Sequence, residues 1–208
     1  MMKRMLKIMV MAVLMCACIT SVASAAKVSV ILDTPLYFAN EAKNQAMLDK
    51  KMGELFPVGQ FEIVPTKESV MRTQLWREEN GLASTVTNSN NGEASYEWAL
   101  KQEEIADLTK SMGCDYSLVM RAIGNSKDSG NMVHGETKKA TIILDVRVFN
   151  VLKNKYTYMN QFVVEGTSKR GFVPFVPVPL GGSPNHKKAF VKAFKKGLKD
   201  LQIDTKNI

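Results

Sequence analysis

The chain has 208 residues, 45% hydrophobic and 23% charged, with a formal net charge of +8. That composition excludes disordered, collagen-like and coiled-coil classes. Without a leader of about 25 residues, the remainder is the length of one domain with chain enough for a proper core.

The first segment has the three parts of a secretory signal. Lys3, Arg4 and Lys7 stand without an acid, an apolar run follows from Ile8 to about Ala23, and Ala23-Ser24-Ala25 supplies the small residues of a cleavage site. Cleavage is predicted after Ala25 or Ala26, giving a signal peptide over 1–25 and a single α/β domain over 26–208. A retained anchor fits less well, because the run is shorter than the ~20 apolar residues a span needs. Cys18 offers an alternative start as a lipidated residue, although of Met15-Cys16-Ala17 before it only Ala17 matches the usual lipoprotein pattern. Past the leader Cys114 is the only cysteine, so no intramolecular disulfide is available. Its place at a helix-to-strand junction suits a buried, small apolar side chain.

Lys27 to Asp33 alternates, with Val28, Val30 and Leu32 on one face, and reads as the first strand. Asn40 is a candidate cap for a helix through Phe56, striped by Leu48, Met52 and Leu55. Phe61 to Val64 reads as a short strand, and Thr66 as the cap of a helix toward Asn80. Residues 81–93, rich in Ser, Thr and Asn, read as a loop. Trp98, Ile105, Leu108 and Met112 recur at helical spacing, and Gly113 supplies a left-handed stop. Asp115 to Ile123 is a third strand, and 124–139 a loop-like connection.

Ala140 to Val151 has the clearest alternation in the chain. Ile142, Leu144, Val146 and Val148 face one way; Thr141, Asp145 and Arg147 face the other. A turn at Lys153-Asn154-Lys155 leads to a partner strand, Tyr156 to Gly166, which makes a long antiparallel hairpin. A loop over 167–183 includes GFVPFVPVPLGG, whose three prolines forbid a regular central strand. Ser183-Pro184 is a cap and first-turn pair for a last helix to about Leu201.

No catalytic or metal-binding set stands out. The only histidines are His134 and His186, in different segments, with one cysteine past the leader. There is no nucleophile elbow, phosphate loop or dinucleotide fingerprint. Glu103, Glu104, Asp107, Asp115 and Asp145 read as solvated surface charges. No cofactor is expected.

Charge placement says more. With Lys3, Arg4 and Lys7 removed, 25 basic residues face 20 acids, and residues 183–208 hold seven lysines against Asp200 and Asp204. The basic excess therefore lies in the last helix. At 100° per residue, Phe190, Ala193, Phe194, Gly197 and Leu201 share one face, with Lys188, Lys192, Lys195, Lys196 and Lys199 opposite. This lysine face is either solubilising charge or the contact for an anionic partner. Phe172 and Phe175 in the rigid apolar loop before it either pack on the body or complete a contact surface. Export makes nucleic acid an unsuitable partner.

The unit EEIADLTKSMGCDYSLVMRAIG, with Gly113, Asp115 and Tyr116 at its junction, and the strand ATIILDVRVFNVLKNK together resemble envelope domains. Similar patterns occur in the curli-secretion lipoproteins, the penicillin-binding-protein activator lipoproteins and the TolB amino-terminal domain. The resemblance spans roughly 28–200 and is one of order and spacing. It implies a compact α/β (α+β) domain with a mixed sheet, helices on its faces, and contacts with proteins in place of catalysis. The chain is thus expected to be an exported, periplasmic, non-enzymatic binding or assembly module of a bacterial envelope. Its expected partners are envelope proteins or an anionic envelope surface, with membrane contact at most peripheral. The alternatives are a cell-wall hydrolase, which would need a polar cleft joining His134 or His186 to a carboxylate, and an outer-membrane lipoprotein carried on Cys18 or an extracellular form.

Overall fold

The computed structural model describes residues 25–88, 93–129, 137–169 and 185–208. Cys16, Cys18, His134, Phe172 and Phe175 lie outside the described residues, as does most of the leader. The fold is α/β. A five-stranded mixed sheet runs in the order β2-β1-β5-β6-β7 and is joined by a small two-stranded antiparallel sheet, β3-β4.

The strands are β1 Ala26–Asp33, β2 Phe61–Ile63, β3 Thr85–Asn88, β4 Glu93–Tyr96, β5 Tyr116–Ser129, β6 Thr137–Asn150 and β7 Lys155–Lys169. The helices are α1 Leu36–Ala39, α2 Ala42–Leu55, α3 Thr66–Glu79, α4 Gln102–Ser111 and α5 His186–Asp200. β1 pairs in parallel with β2 and with β5, whereas β5, β6 and β7 are antiparallel to one another.

The alternation of β6 divides the sheet into two faces. Ile142, Leu144, Val146 and Val148 are fully buried on the first, together with Val28, Val30, Leu118 and Met120. Leu48 and Met52 of α2 and Phe190 and Phe194 of α5 cover that face. The second face carries Ile31, Val119 and Phe149, over which α4 lays Ile105 and Leu108. Buried hydroxyls tie α4 down: Ser29 and Ser117 lie 2.7 Å apart, as do Ser117 and Thr109. Thr109 spends its proton on the Ile105 carbonyl, 2.6 Å away, so Ser117 donates to Thr109 and Ser29 to Ser117.

The end of α4 is as predicted. Gly113 has φ +65°, the Cys114 N–H reaches the Thr109 carbonyl and the Gly113 N–H reaches Lys110, which together close a Schellman turn. Asp115 then anchors β1, donating its N–H to the Lys27 carbonyl while its carboxylate accepts the Lys27 N–H at 2.7 Å. Cys114 is buried, and burial pushes its thiol pKa up.

Several boundaries differ from the sequence reading. Asn40 ends the short helix α1 and does not begin α2; its N–H bonds to the Leu36 carbonyl and its side chain accepts from Gln74. Thr66 is the first residue of α3 after Pro65, and its N–H donates to Asp49. Trp98 is not part of α4, which starts after Lys101, where the Lys101 N–H donates to Glu104 at 2.6 Å. The stretch 81–93 contains β3 and part of β4. The stretches 124–139 and 167–183 are shorter as loops than expected, because 124–129, 137–139 and 167–169 belong to strands. Asn185 caps α5 by accepting the Lys188 N–H at 2.7 Å, the role assigned to Ser183, which lies outside the described residues.

Candidate functional site

The register of β5, β6 and β7 creates a surface that no single strand reveals. Beyond the N-terminal end of α4 the second sheet face is open, and three rows cross it. Val119, Arg147 and Met159 form one; Arg121, Asp145 and Gln161 the next; Ile123, Ile143 and Val163 the third. The last row places three branched apolar side chains directly beside one another, at relative exposures of 50%, 38% and 72%; Met159, also exposed, lies across the polar row from them. Large apolar side chains on adjacent strands about 4.8 Å apart form one continuous patch, not scattered exposures.

Ion pairs border that patch. Asp33 extends the middle row from β1, opposite Arg121, whose Nε donates to its carboxylate at 3.2 Å. Arg147 grips Asp145 through Nε and Nη2 at 2.6–3.0 Å, and this hydrogen bonding raises the guanidinium pKa. The Arg147 guanidinium also lies 5.3 Å from the Tyr156 ring centre. A small cleft among Asp33, Arg121, Asp145, Arg147 and Tyr156 is closed on one side by Ala99 and Leu100. Each carboxylate there faces an arginine, and among the described residues no histidine lines the cleft, although the hydrolase alternative requires one. His186 lies instead at the start of α5, the helix on the opposite sheet face.

Arg77 of α3 is buried beside this cleft, 1% exposed. Its Nη1 donates to the Trp98 carbonyl at 3.1 Å, and its guanidinium sits 4.0 Å from the Tyr96 ring centre. One buried cation therefore clamps the chain just past the β3-β4 hairpin onto α3. Burial lowers the Arg77 pKa, opposed by the charge of Asp33.

Burial raises the Asp33 pKa, against the pull of Arg121 and Arg77. A carboxyl whose folded value exceeds its unfolded one adds stability at low pH, and that contribution is lost as pH rises through the folded value. Asp33→Asn does not titrate. Its melting temperature relative to wild type should therefore rise as the pH increases above the ordinary aspartate value of about 3.9. A relative fall over that range, followed by thermal unfolding, would contradict the environment described for Asp33.

The lysine face is arranged as expected. Lys188, Lys192, Lys195, Lys196 and Lys199 are all exposed on α5, while Phe190, Ala193, Phe194, Gly197 and Leu201 are buried beneath them. Sequence reasoning placed Asp145 and Arg147 correctly on the outer face but missed the cleft. Arg121 and Asp33 join it only through strand pairing, and no periodicity marks Arg77 as buried. Among the described residues, no three metal-ligating side chains come together, and no helix is long and apolar enough to cross a membrane.

No family model matches the sequence, and no curated protein matches it. Among solved structures the chain is similar to the LpoB C-terminal domain from Salmonella enterica, at 14% identity and TM-score 0.32 over 70% of this chain and 86% of that one. It is similar to the same domain from Escherichia coli, at 15% identity and TM-score 0.31, covering 69% and 85%. Lipoprotein GNA1162 from Neisseria meningitidis is a further similar structure, at 12% identity and TM-score 0.38, covering 85% of this chain and 99% of that one.

Proposed function

We propose that this chain is an exported, non-enzymatic binding module of a bacterial cell envelope, and that it binds a protein through the open face of β5, β6 and β7. The observation that carries the reading is the row Ile123, Ile143 and Val163. An apolar centre edged by arginine, tyrosine and paired charges has the anatomy of a protein interface, where a few side chains supply most of the affinity. The ion pairs fit this reading. Asp33 and Asp145 each face an arginine, Arg121 and Arg147, and such paired charges suit the polar rim of an interface. Export rests on the leader: its basic start, apolar run and Ala23-Ser24-Ala25 site. Lipidation at Cys18 would leave the same interface on a membrane-tethered form.

The test replaces Ile143 and Val163 together by lysine. Both side chains are exposed on the folded chain, so circular dichroism should be unchanged. Capture of envelope proteins by the tagged chain should fall at least about tenfold, as expected for charges placed at the centre of an interface. The same proteins captured with undiminished yield would overturn the assignment of this face.

A further inference from the structure

The first sheet face carries a second surface, of different chemistry. α2 and α5 lie side by side on it, and a shallow groove between them is walled by Lys50 and Lys51 of α2 and by Lys195 and Lys199 of α5, with Met47 and Leu198 beneath. The basic surface is therefore not confined to the terminal helix. α2 adds Lys43, Lys50 and Lys51 to the six lysines of α5, and only Asp49, Glu54 and Asp200 oppose them on these two helices. Asp49 is engaged by the Thr66 N–H, and Glu54, also in the groove wall, lies 3.5 Å from the largely buried Lys51, so that pair cancels and leaves Lys43 and Lys50 as the outward cations of α2. Between the lysines of α2 the outward residues Ala46 and Gly53 are small and exposed, so nothing bulky stands above the plane of charge.

The helices α3 and α4 are biased the other way. Glu68, Glu78 and Glu79 of α3 and Glu103 and Asp107 of α4 are all exposed, against Lys67, Arg72 and Lys110. Among the described helices the positive charge is therefore gathered on α2 and α5. Such a distribution orients a molecule at a charged surface before any specific contact forms.

We propose that the outer surface of α2 and α5 docks on an anionic lipid bilayer. Two features favour a bilayer over a linear polyanion. The charge covers an area two helices wide, each 14 or 15 residues long, where a polymer would need only a single track. All nine cations on these helices are lysines. Ammonium groups act as point charges attracted by the surface potential, whereas clamping individual phosphates favours the bidentate arginine fork. The apolar sides of both helices are spent on the sheet, so the contact is peripheral, without insertion. This goes beyond the protein-contact reading and leaves the open face of β5, β6 and β7 free for its partner.

The experiment uses the processed chain, its start at Ala26 or Lys27 verified by mass spectrometry so that no lipid is attached. Binding is measured to vesicles of phosphatidylcholine alone and to vesicles with about a third phosphatidylglycerol, at low and moderate salt. The expected result is binding to the anionic vesicles only, weakening as salt rises. Lys188→Gln, Lys192→Gln, Lys195→Gln and Lys199→Gln combined should lower the partition coefficient by more than about a hundredfold, at roughly fivefold per lysine. Lys43→Gln with Lys50→Gln, both exposed on α2, should lower it by more than about tenfold, which a single-helix contact would not show. Equal binding to neutral vesicles, or unaltered binding by either variant, would overturn the proposal. So would displacement by soluble polyglutamate at a lower total charge than the vesicles present, which would indicate a polymer site. The Ile143→Lys, Val163→Lys chain should bind vesicles as wild type does, so the two surfaces stand or fall separately.

Discussion

Gly166→Ala should destabilise the protein by about 3 kcal/mol or more, the upper range for forced overpacking. Gly166 lies on the buried face of β7, beneath α5. A Cβ there would overlap the Ala189 carbonyl oxygen and the Ala193 amide nitrogen, and would come within 3.0 Å of the Ala193 Cα. These are backbone atoms of a helix, which cannot rotate aside as a flexible side chain does. Ala189 and Ala193 are fully buried and stand one turn apart, so three small residues set the approach of α5 to the sheet. Adding one methyl group must push the helix away and open the contacts of Phe190 and Phe194. Gly53→Ala is the matched control. It lies in α2 with nothing within 4 Å of the new methyl, and should stabilise by about 0.5–1 kcal/mol through helix propensity. Equal melting temperatures for the two variants would mean that α5 is not seated as described.

Val146→Asp should cost about 3–5 kcal/mol, the range for a buried charge without a partner. Val146 has no exposed surface, and its neighbours along the strand face, Leu144 and Val148, are equally buried. Nothing there can receive a carboxylate, so the chain must either unfold or protonate the new group. Thr141→Asp samples the other face of the same strand. Thr141 is directly opposite Glu165 on β7, so the substitution adds a like-charge pair worth less than about 1 kcal/mol and no burial. Chemical denaturation of the two variants should separate them by several fold in cost. Equal losses would shift the register of β6 by one residue and, with it, every residue assigned to the open face.

The elements that were legible in the sequence are those whose stability is decided locally. α4 ends where Gly113 permits a left-handed turn, and β6 alternates because one of its faces is dry. α1 was invisible because four residues cannot make a helical pattern. It exists because Phe38 packs 4.3 Å from Phe194 and 5.5 Å from Phe190, side chains more than 150 positions away. The β3-β4 hairpin was read as a loop because its polar residues show no alternation, and only pairing such as Thr85 with Tyr96 defines it. β5 and β6 run past Gly124 for the same reason: pairing continues from Asn125–Thr141 to Ser129–Thr137 where the hydrophobic signal has ended.

The two surfaces divide in the same way. The α5 lysines follow from helical spacing alone, but their continuation onto Lys50 needs the packing of two helices far apart in the chain. Ile123, Ile143 and Val163 come from three strands, and each looks unremarkable until the register aligns them. Arg77 was equally hidden, since a charged residue in a polar helix gives no sign that its guanidinium is held by the Trp98 carbonyl and the Tyr96 ring.

The central claim, that the open face of β5, β6 and β7 holds a protein partner, is tested most directly by photo-crosslinking in intact cells. A photoreactive amino acid would replace Ile143, Val163 or, as a control, the exposed Lys110 on the outer side of α4. Ile143 and Val163 should give adducts with one and the same protein, and Lys110 none. Adducts absent from the sheet positions, or as abundant from Lys110, would contradict that claim.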